Sequence, residues 1–305
     1  MAVVDIGERT SVAEREQQEP EGAGPTARRI ILGAQLRRLR ERAGVARSDA
    51  AWSIRGSDSK MSRLEAGKVG FKERDVADLL TMYGITAEDE RELLLDMTRR
   101  SNEPGWWQPY GDVLPDWFED YVGLEMSASR IQTYELLFVP GLLQTEDYAR
   151  AIITSGHPER ASADDERRLA VRMRRQQMLG RRDAPTVWAI VDEAVLYRPI
   201  GGPSVLAGQI ERLLELSALP NVVVQVLPFT LSGYAAESTF SILRFAEPEL
   251  PDLVYQEHLT AAVYLDKRPE VEAYSRVMDR VAVDALTPDE TRQYLTKLAA
   301  ERRAP

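Results

Sequence analysis

Cysteine is absent from this chain, and histidine occurs only twice, at His157 and His258. The first absence excludes disulfides, thiolate nucleophiles and cysteine-rich zinc sites, and two imidazoles cannot make a three-histidine metal centre. Long apolar runs are also missing: none approaches the roughly 20 residues that a membrane-crossing helix needs. The opening stretch MAVVDIGERTSVAEREQQEPEGAGPTARR has neither the basic start nor the apolar core of a secretory signal. These absences predict a cytoplasmic protein without membrane attachment, and nothing in the sequence asks for a cofactor, a metal or a catalytic residue. What remains is ordinary globular material, 44% hydrophobic and 29% charged, and 305 residues is long enough for two domains.

The formal net charge of −10 speaks against a nucleic-acid partner until its distribution is read, since DNA binding draws on Lys and Arg to neutralise phosphates. Residues 28–70 hold eleven basic side chains against four acidic ones, a charge of +7, which leaves −17 on the rest of the chain. A basic reader joined to an acidic body fits that asymmetry.

Hydrophobic spacing divides the chain further. Residues 1–27, rich in Glu, Gln, Gly and Pro, read as a flexible arm. Leu32, Leu36, Leu39 and Ala43 then recur at helical spacing from Ile30 and stop at Gly44. Short helices follow at about 47–54 and, after a turn at Arg55 and Gly56, from the N-cap Ser57 to Glu65. Val76, Leu79, Leu80 and Tyr83 mark a fourth helix, and TAEDERELLLDMTRR a fifth, so 28–100 is expected to be an all-helical, helix-turn-helix DNA-binding domain. The Pro- and Gly-punctuated stretch 101–116 reads as a linker. From 117 to 305 a mixed α+β regulatory and dimerisation domain is expected. Its helices are placed near 117–132, 144–155, 163–180, 204–218, 269–286 and 288–302, and its strands in TVWAIVD, NVVVQVLPF, STFSILRF and DLVYQEH.

In VARSDAAWSIRGSDSKMSRLEAG, small residues at Ala50 and Ala51 let two short helices cross, with Ile54, Met61 and Leu64 turned inward. Ser57, Asp58, Ser59, Lys60, Ser62 and Arg63 then form a polar outer face for DNA. At SKMSRLEAGK the sequence resembles the Xre family of helix-turn-helix regulators, which includes the phage repressors, and that resemblance implies a lambda-repressor-like fold. It places Asp58, Ser59 and Arg63 at base-reading positions, and Arg47 and Lys60 where helix ends meet phosphate or nearby bases; Lys68 completes the DNA-binding set. It also pairs Arg40 with Glu65 in a structural ion pair. Asp58 has a second role open to it, as a helix cap. Arg55 stands where the family often has glycine and Gly56 follows, so a turn displaced by one residue is left open. The bland alternative is an ordinary helical bundle whose basic face is merely solvated.

The resemblance extends to antitoxin-like Xre regulators of high-GC bacteria, through VPGLLQTEDYARA, RMRRQQML, VDEAVLYRPIGG, LPNVVVQVLPF and STFSILRF. It implies a C-terminal domain of undescribed activity and a small separate partner protein. Three features of that half carry weight of their own. The cluster Arg167, Arg168, Arg172, Arg174, Arg175, Arg181 and Arg182 suits an anion, a partner's acids or DNA, or else a solvated helix face balanced by Asp164, Asp165 and Glu166. Asp192 and Glu193 with Glu257 and His258 suggest acid–base or metal chemistry, although neighbours on a strand face opposite sides. Trp106, Trp107, Tyr110 and Trp117 suit a pocket wall or, more simply, packing between domains. The leading expectation is a homodimeric transcriptional regulator of double-stranded DNA; the alternatives are an antitoxin-like interaction protein and an enzyme fused to a DNA anchor.

Overall fold

The computed structural model describes residues 24–155, 163–230 and 238–303. Most of the expected flexible arm, and His157, lie outside those residues. Pro25 opens the first helix, α1 (Pro25–Arg42), five residues ahead of the periodicity that begins at Ile30. Proline suits a helix's first turn because its missing N–H has no intrahelical partner there. The preceding Gly24 N–H donates to Ser127 Oγ at 2.8 Å, and Thr26 and Ala27 are buried. The apolar pattern missed this first turn because small side chains, not large ones, bury it.

Four more helices complete the N-terminal region: α2 (Arg47–Ser53), α3 (Asp58–Glu65), α4 (Glu73–Met82) and α5 (Glu88–Ser101). Their core gathers Leu32, Leu36, Ala50, Met61, Leu64, Leu79 and Leu94, each at a position that the 3.6-residue period turns inward. No helix among the described residues is long and apolar enough to cross a membrane.

After α6 (Asp116–Glu125) the chain forms a six-stranded mixed sheet in the order β3-β2-β1-β4-β5-β6. The strands are β1 (Arg130–Glu135), β2 (Thr186–Asp192), β3 (Val222–Leu227), β4 (Phe240–Arg244), β5 (Leu253–Glu257) and β6 (Ala262–Leu265). β1, β2 and β3 run parallel, and β1 meets β4 antiparallel, so β1 is the seam between the two halves. The helices are α7 (Glu146–Ser155), α8 (Ala163–Gln176), α9 (Pro203–Leu216), α10 (Arg268–Asp284) and α11 (Pro288–Arg303). Leu206, Ile210 and Leu213 of α9 and Leu295 and Leu298 of α11 pack on Val187, Ala189, Val191 and Val224. On the opposite face Val271, Met278 and Val281 of α10 cover Ile190, Ile242 and Val254.

The four strands read from the sequence are present, but the helix placed at 117–132 ends at Glu125, and β1 follows it. The sequence RIQTYE does not advertise a strand, because four of its residues are buried on both faces and several are polar. β6 was also missed; it is only four residues long.

The helical region and the sheet region touch. Leu250, on the β4–β5 connection, is buried in the helical core, and Arg38 donates to Glu249 at 3.0 Å. α1 crosses α6 at Gly123, where a Cβ would lie 2.2 Å from Thr26 Oγ1, a distance only glycine permits. Trp107 is buried beside this crossing, so that aromatic packs the two regions together.

Candidate nucleic-acid interface

The turn between α2 and α3 is decided by Arg55. Its φ of 52° is left-handed, while Gly56 is not among the positive-φ residues. The Arg55 N–H donates to Trp52 O at 2.9 Å and the Gly56 N–H to Ala51 O at 2.8 Å. The turn is therefore not displaced: Arg55 adopts the conformation that glycine usually supplies, at a cost of about 1–2 kcal/mol. Ser57 follows in extended conformation and caps α3, its Oγ accepting from the Lys60 N–H at 3.1 Å. Ala50, Ala51, Ile54, Met61 and Leu64 are buried where the two helices meet the core.

α3 is fixed from behind. Arg40 of α1 grips Glu65 with two bonds, Nε to Oε1 at 2.5 Å and Nη2 to Oε2 at 3.1 Å, and its Nη1 donates to Val45 O. Only 11% of the Arg40 side chain and 6% of the Glu65 side chain remain exposed, so this partly buried fork matches the structural pair that the Xre resemblance implies. Hydrogen bonding to Glu65 raises the guanidinium pKa further above its ordinary value. The end of α3 lies close against α1 because Gly33 has no side chain: a Cβ there would meet Leu64 O and Glu65 O at 2.7 Å.

The candidate DNA-contacting residues then separate by what already holds them. Ser57, Asp58, Ser59, Ser62, Arg63 and Lys68 are exposed. Among the described residues Arg63 makes no ion pair, and Lys68, past the helix end, makes none closer than its through-space attraction to Asp120. Arg47 and Asp58 are joined by a two-bond fork, at 2.9 and 2.7 Å, across the mouths of α2 and α3. That fork lowers the Asp58 carboxyl below its usual range. Lys60 turns the other way, its ammonium 2.9 Å from the buried carboxylate of Asp75 on α4. One exposed side chain escaped the sequence reading altogether. Trp52 on α2 is 83% exposed. The spacing that buries Ala50, Ala51 and Ile54 leaves position 52 outside, which was the available signal.

The other residues singled out from sequence do not converge on one centre. Asp192 accepts from the Ala194 N–H, and Glu193 accepts from Tyr294 Oη at 2.5 Å and the Phe229 N–H at 2.6 Å. Glu257 accepts from Tyr255 Oη at 3.0 Å on a different part of the sheet. Within the arginine cluster, Arg167 bonds Asp112, Arg181 bonds Asp183, and Arg174 lies over Trp106 at 4.7 Å. Arg175 is buried in a two-bond pair with Glu125, both bonds 2.7 Å. The solvated-face reading therefore fails for the inner side of α8, where Asp165 and Arg175 are buried. Among the described residues no group of three or more His, Asp or Glu is placed to hold a metal.

Two short helices around a tight turn, with a polar outer face on the second and a basic local charge, define a helix-turn-helix DNA-binding module. Residues 31–94 match the model of a helix-turn-helix domain. Residues 118–297 match the model of a family described as a domain of unknown function (DUF5753), and the chain belongs to that family, since the match takes in more than half of it. No curated protein and no solved structure matches.

Proposed function

We propose that this protein is a sequence-specific, DNA-binding transcriptional regulator of Xre type, acting as a homodimer on double-stranded DNA. Its organisation follows the reading of residues 28–100 as the reader, 101–116 as the connection and 117–305 as a non-enzymatic domain that dimerises and receives the regulatory input. One observation carries the proposal: α3 is rigidly backed by the Arg40–Glu65 fork and presents Ser59, Ser62 and the unpaired guanidinium of Arg63 to solvent. A free guanidinium on a recognition helix is suited to guanine, whose O6 and N7 it can bind together. Arg47 and Lys68 serve phosphates, Ser57 and Asp58 shape the helix start, and Lys60 positions α3 through Asp75. Two copies supply the affinity and half-site spacing that one short helix cannot. A gel-shift titration of the protein's own promoter at physiological salt tests this; binding no tighter than to random DNA would sink it.

A second reading, an antitoxin-like protein acting mainly through a small partner, is favoured by the β5–β6 hairpin. β6 is the edge of the sheet, and Leu259 beside it is almost fully exposed. An unpaired edge with apolar neighbours is a surface that a partner chain can extend. Co-purification with a small neighbouring gene product checks it.

A further inference from the structure

Between the sheet and α8 lies a cavity of about 350 Å³ that none of the DNA-binding arguments uses. Its floor is the face of β1, β4 and β5 opposite α10. The register pairs Thr133 with Ser241 and Ser241 with Tyr255, and Tyr134 with Phe240. Glu135 ends β1, Glu257 ends β5 and Thr239 precedes β4, and all three line the cavity. The floor therefore grades from Ile131, through hydroxyls, to two carboxylates two strand spacings apart, or about 10 Å at the backbone.

The opposite wall is cationic. Arg175 reaches the cavity but is neutralised by Glu125. Arg172, about one helical turn away, makes one hydrogen bond among the described residues, to Gln144 Oε1 at 3.1 Å. Gln144 is itself held, its Nε2 donating to Val139 O at 2.7 Å, so the guanidinium is oriented by a neutral partner while Glu257 acts on it through space. Burial brings the Arg172 pKa down to about 10, which still leaves it charged at neutral pH. Glu135 has no hydrogen-bond partner among the described residues, and burial followed by repulsion from Glu257 pushes its carboxyl up to about 8. A guanidinium held by a neutral amide and a carboxyl that keeps its proton at neutral pH for want of a counter-ion share one partly open cavity, and a ligand carrying both missing partners relieves both costs. Tyr121 and Tyr255, stacked with centroids 4.1 Å apart, close the inner end, and the half-exposed Leu137 and Phe138 stand at the rim.

We propose that this cavity binds a small amphoteric molecule of amino-acid or dipeptide size, its anionic group on Arg172 and its ammonium between Glu135 and Glu257. The volume lies at the lower end of the roughly 300–1,000 Å³ typical of small-molecule sites. Neither a simple anion nor a simple amine satisfies both walls. The binding claim stands on the cavity alone; only its use as the input signal rests on the regulatory reading above. β4 and β5, which form the floor, are joined by the connection that carries Leu250 into the helical core and sets Glu249 against Arg38, so the site and the reader share one piece of backbone.

The test is saturation-transfer NMR and calorimetry on the full chain with a panel of L-amino acids and dipeptides. Matched carboxylic acids lacking the amine and amines lacking the carboxylate serve as controls. At least one amphoteric probe is expected to bind. Arg172→Gln and Glu135→Gln are each expected to weaken it by about tenfold or more, the scale of one lost charge-assisted hydrogen bond. Glu257→Gln, at an exposed strand end, gives a milder variant should either of the others fold poorly, and is also expected to weaken binding. No amphoteric probe binding, binding unchanged in all three variants, or an amine control that binds as tightly as the amphoteric probe would each overturn the proposal. Because the readout contains no DNA, a failed gel shift leaves this result standing, and the converse also holds.

Discussion

Arg63 and Arg55 stand close together in sequence, and neither makes an ion pair among the described residues, but they do different things. Replacing Arg63 by Ala is expected to remove about 1–3 kcal/mol of operator binding, a tenfold to hundredfold loss, with a smaller effect on random DNA. Fluorescence anisotropy with both DNAs at one salt concentration measures the difference; equal losses on the two would assign Arg63 to phosphate. Arg55 holds a left-handed φ without a glycine's freedom. Arg55→Gly should therefore stabilise the helix-turn-helix by on the order of 1 kcal/mol, read as a rise in the urea midpoint at unchanged slope. The sequence showed that the turn lay at this dipeptide but not which residue would take the strain. Both registers place Gly56 acceptably, and the choice is made by the 2.8 Å bond from Gly56 N–H to Ala51 O, which no sequence pattern encodes.

Glu135 gives a residue-scale prediction of another kind. Its carboxyl is raised from 4.5 to about 8 by burial and Glu257 on β5, with Tyr148 on α7 near it and Arg172 on α8 lining the same cavity. The folded protein therefore binds a proton that the unfolded chain releases near pH 4.5. The stability this gives is fully present below the unfolded value and is lost as pH rises through 8. Wild type should lose stability across that window, and Glu135→Gln should flatten the slope, as thermal melts at a series of pH values will register. An unchanged slope would mean that Glu135 is solvated as an ordinary surface carboxylate.

At the scale of elements, legibility followed geometry. α2, α3 and α4 could be read because each buries one stripe and exposes the rest, so the period survives in the sequence. β2 and β3 could be read because both are dominated by apolar residues, with four valines in VVVQVL. β1 could not: it is buried on both faces yet built from Gln132, Thr133 and Tyr134, whose burial depends on strand neighbours more than a hundred residues away. The inner face of α8 was misjudged for the same reason, since Arg175 is buried only because Glu125 arrives from α6. In the reader, the Arg40–Glu65 fork is the joint between α1 and α3, and most of its polar atoms are enclosed. Arg40→Ala leaves a nearly buried carboxylate alone and should cost about 3–5 kcal/mol, whereas replacing both members with Met should cost far less, because neither charge is then left unpaired. Urea unfolding of the single and double variants decides between this and an exposed pair, for which the single change would cost at most about 1 kcal/mol.

Across the whole molecule the charge asymmetry has a mechanical counterpart. The basic reader is tied to the acidic body at a few points: Leu250 in the helical core, Arg38 on Glu249, Gly24 on Ser127, and α1 crossing α6 at Gly123. Of these, Leu250 is the one buried side chain that the sheet region lends to the reader's core among the described residues. Its contribution is apolar and close-packed, so Leu250→Ala should cost about 2–5 kcal/mol. That loss falls on the junction, because the side chain belongs by sequence to one region and by packing to the other. The wild-type chain is accordingly expected to unfold in a single calorimetric transition, with the reader supported by the body. In Leu250→Ala the reader should melt at a lower temperature, separately from the sheet region. Removing the exposed Arg38–Glu249 pair by Glu249→Ala should shift the melt little, because such pairs contribute only about 0–1 kcal/mol. Two resolved transitions in the wild type, or one unshifted transition in Leu250→Ala, would show that the two regions are independent bodies. Any signal from the cavity would then have to reach DNA by a route other than the β4–β5 connection.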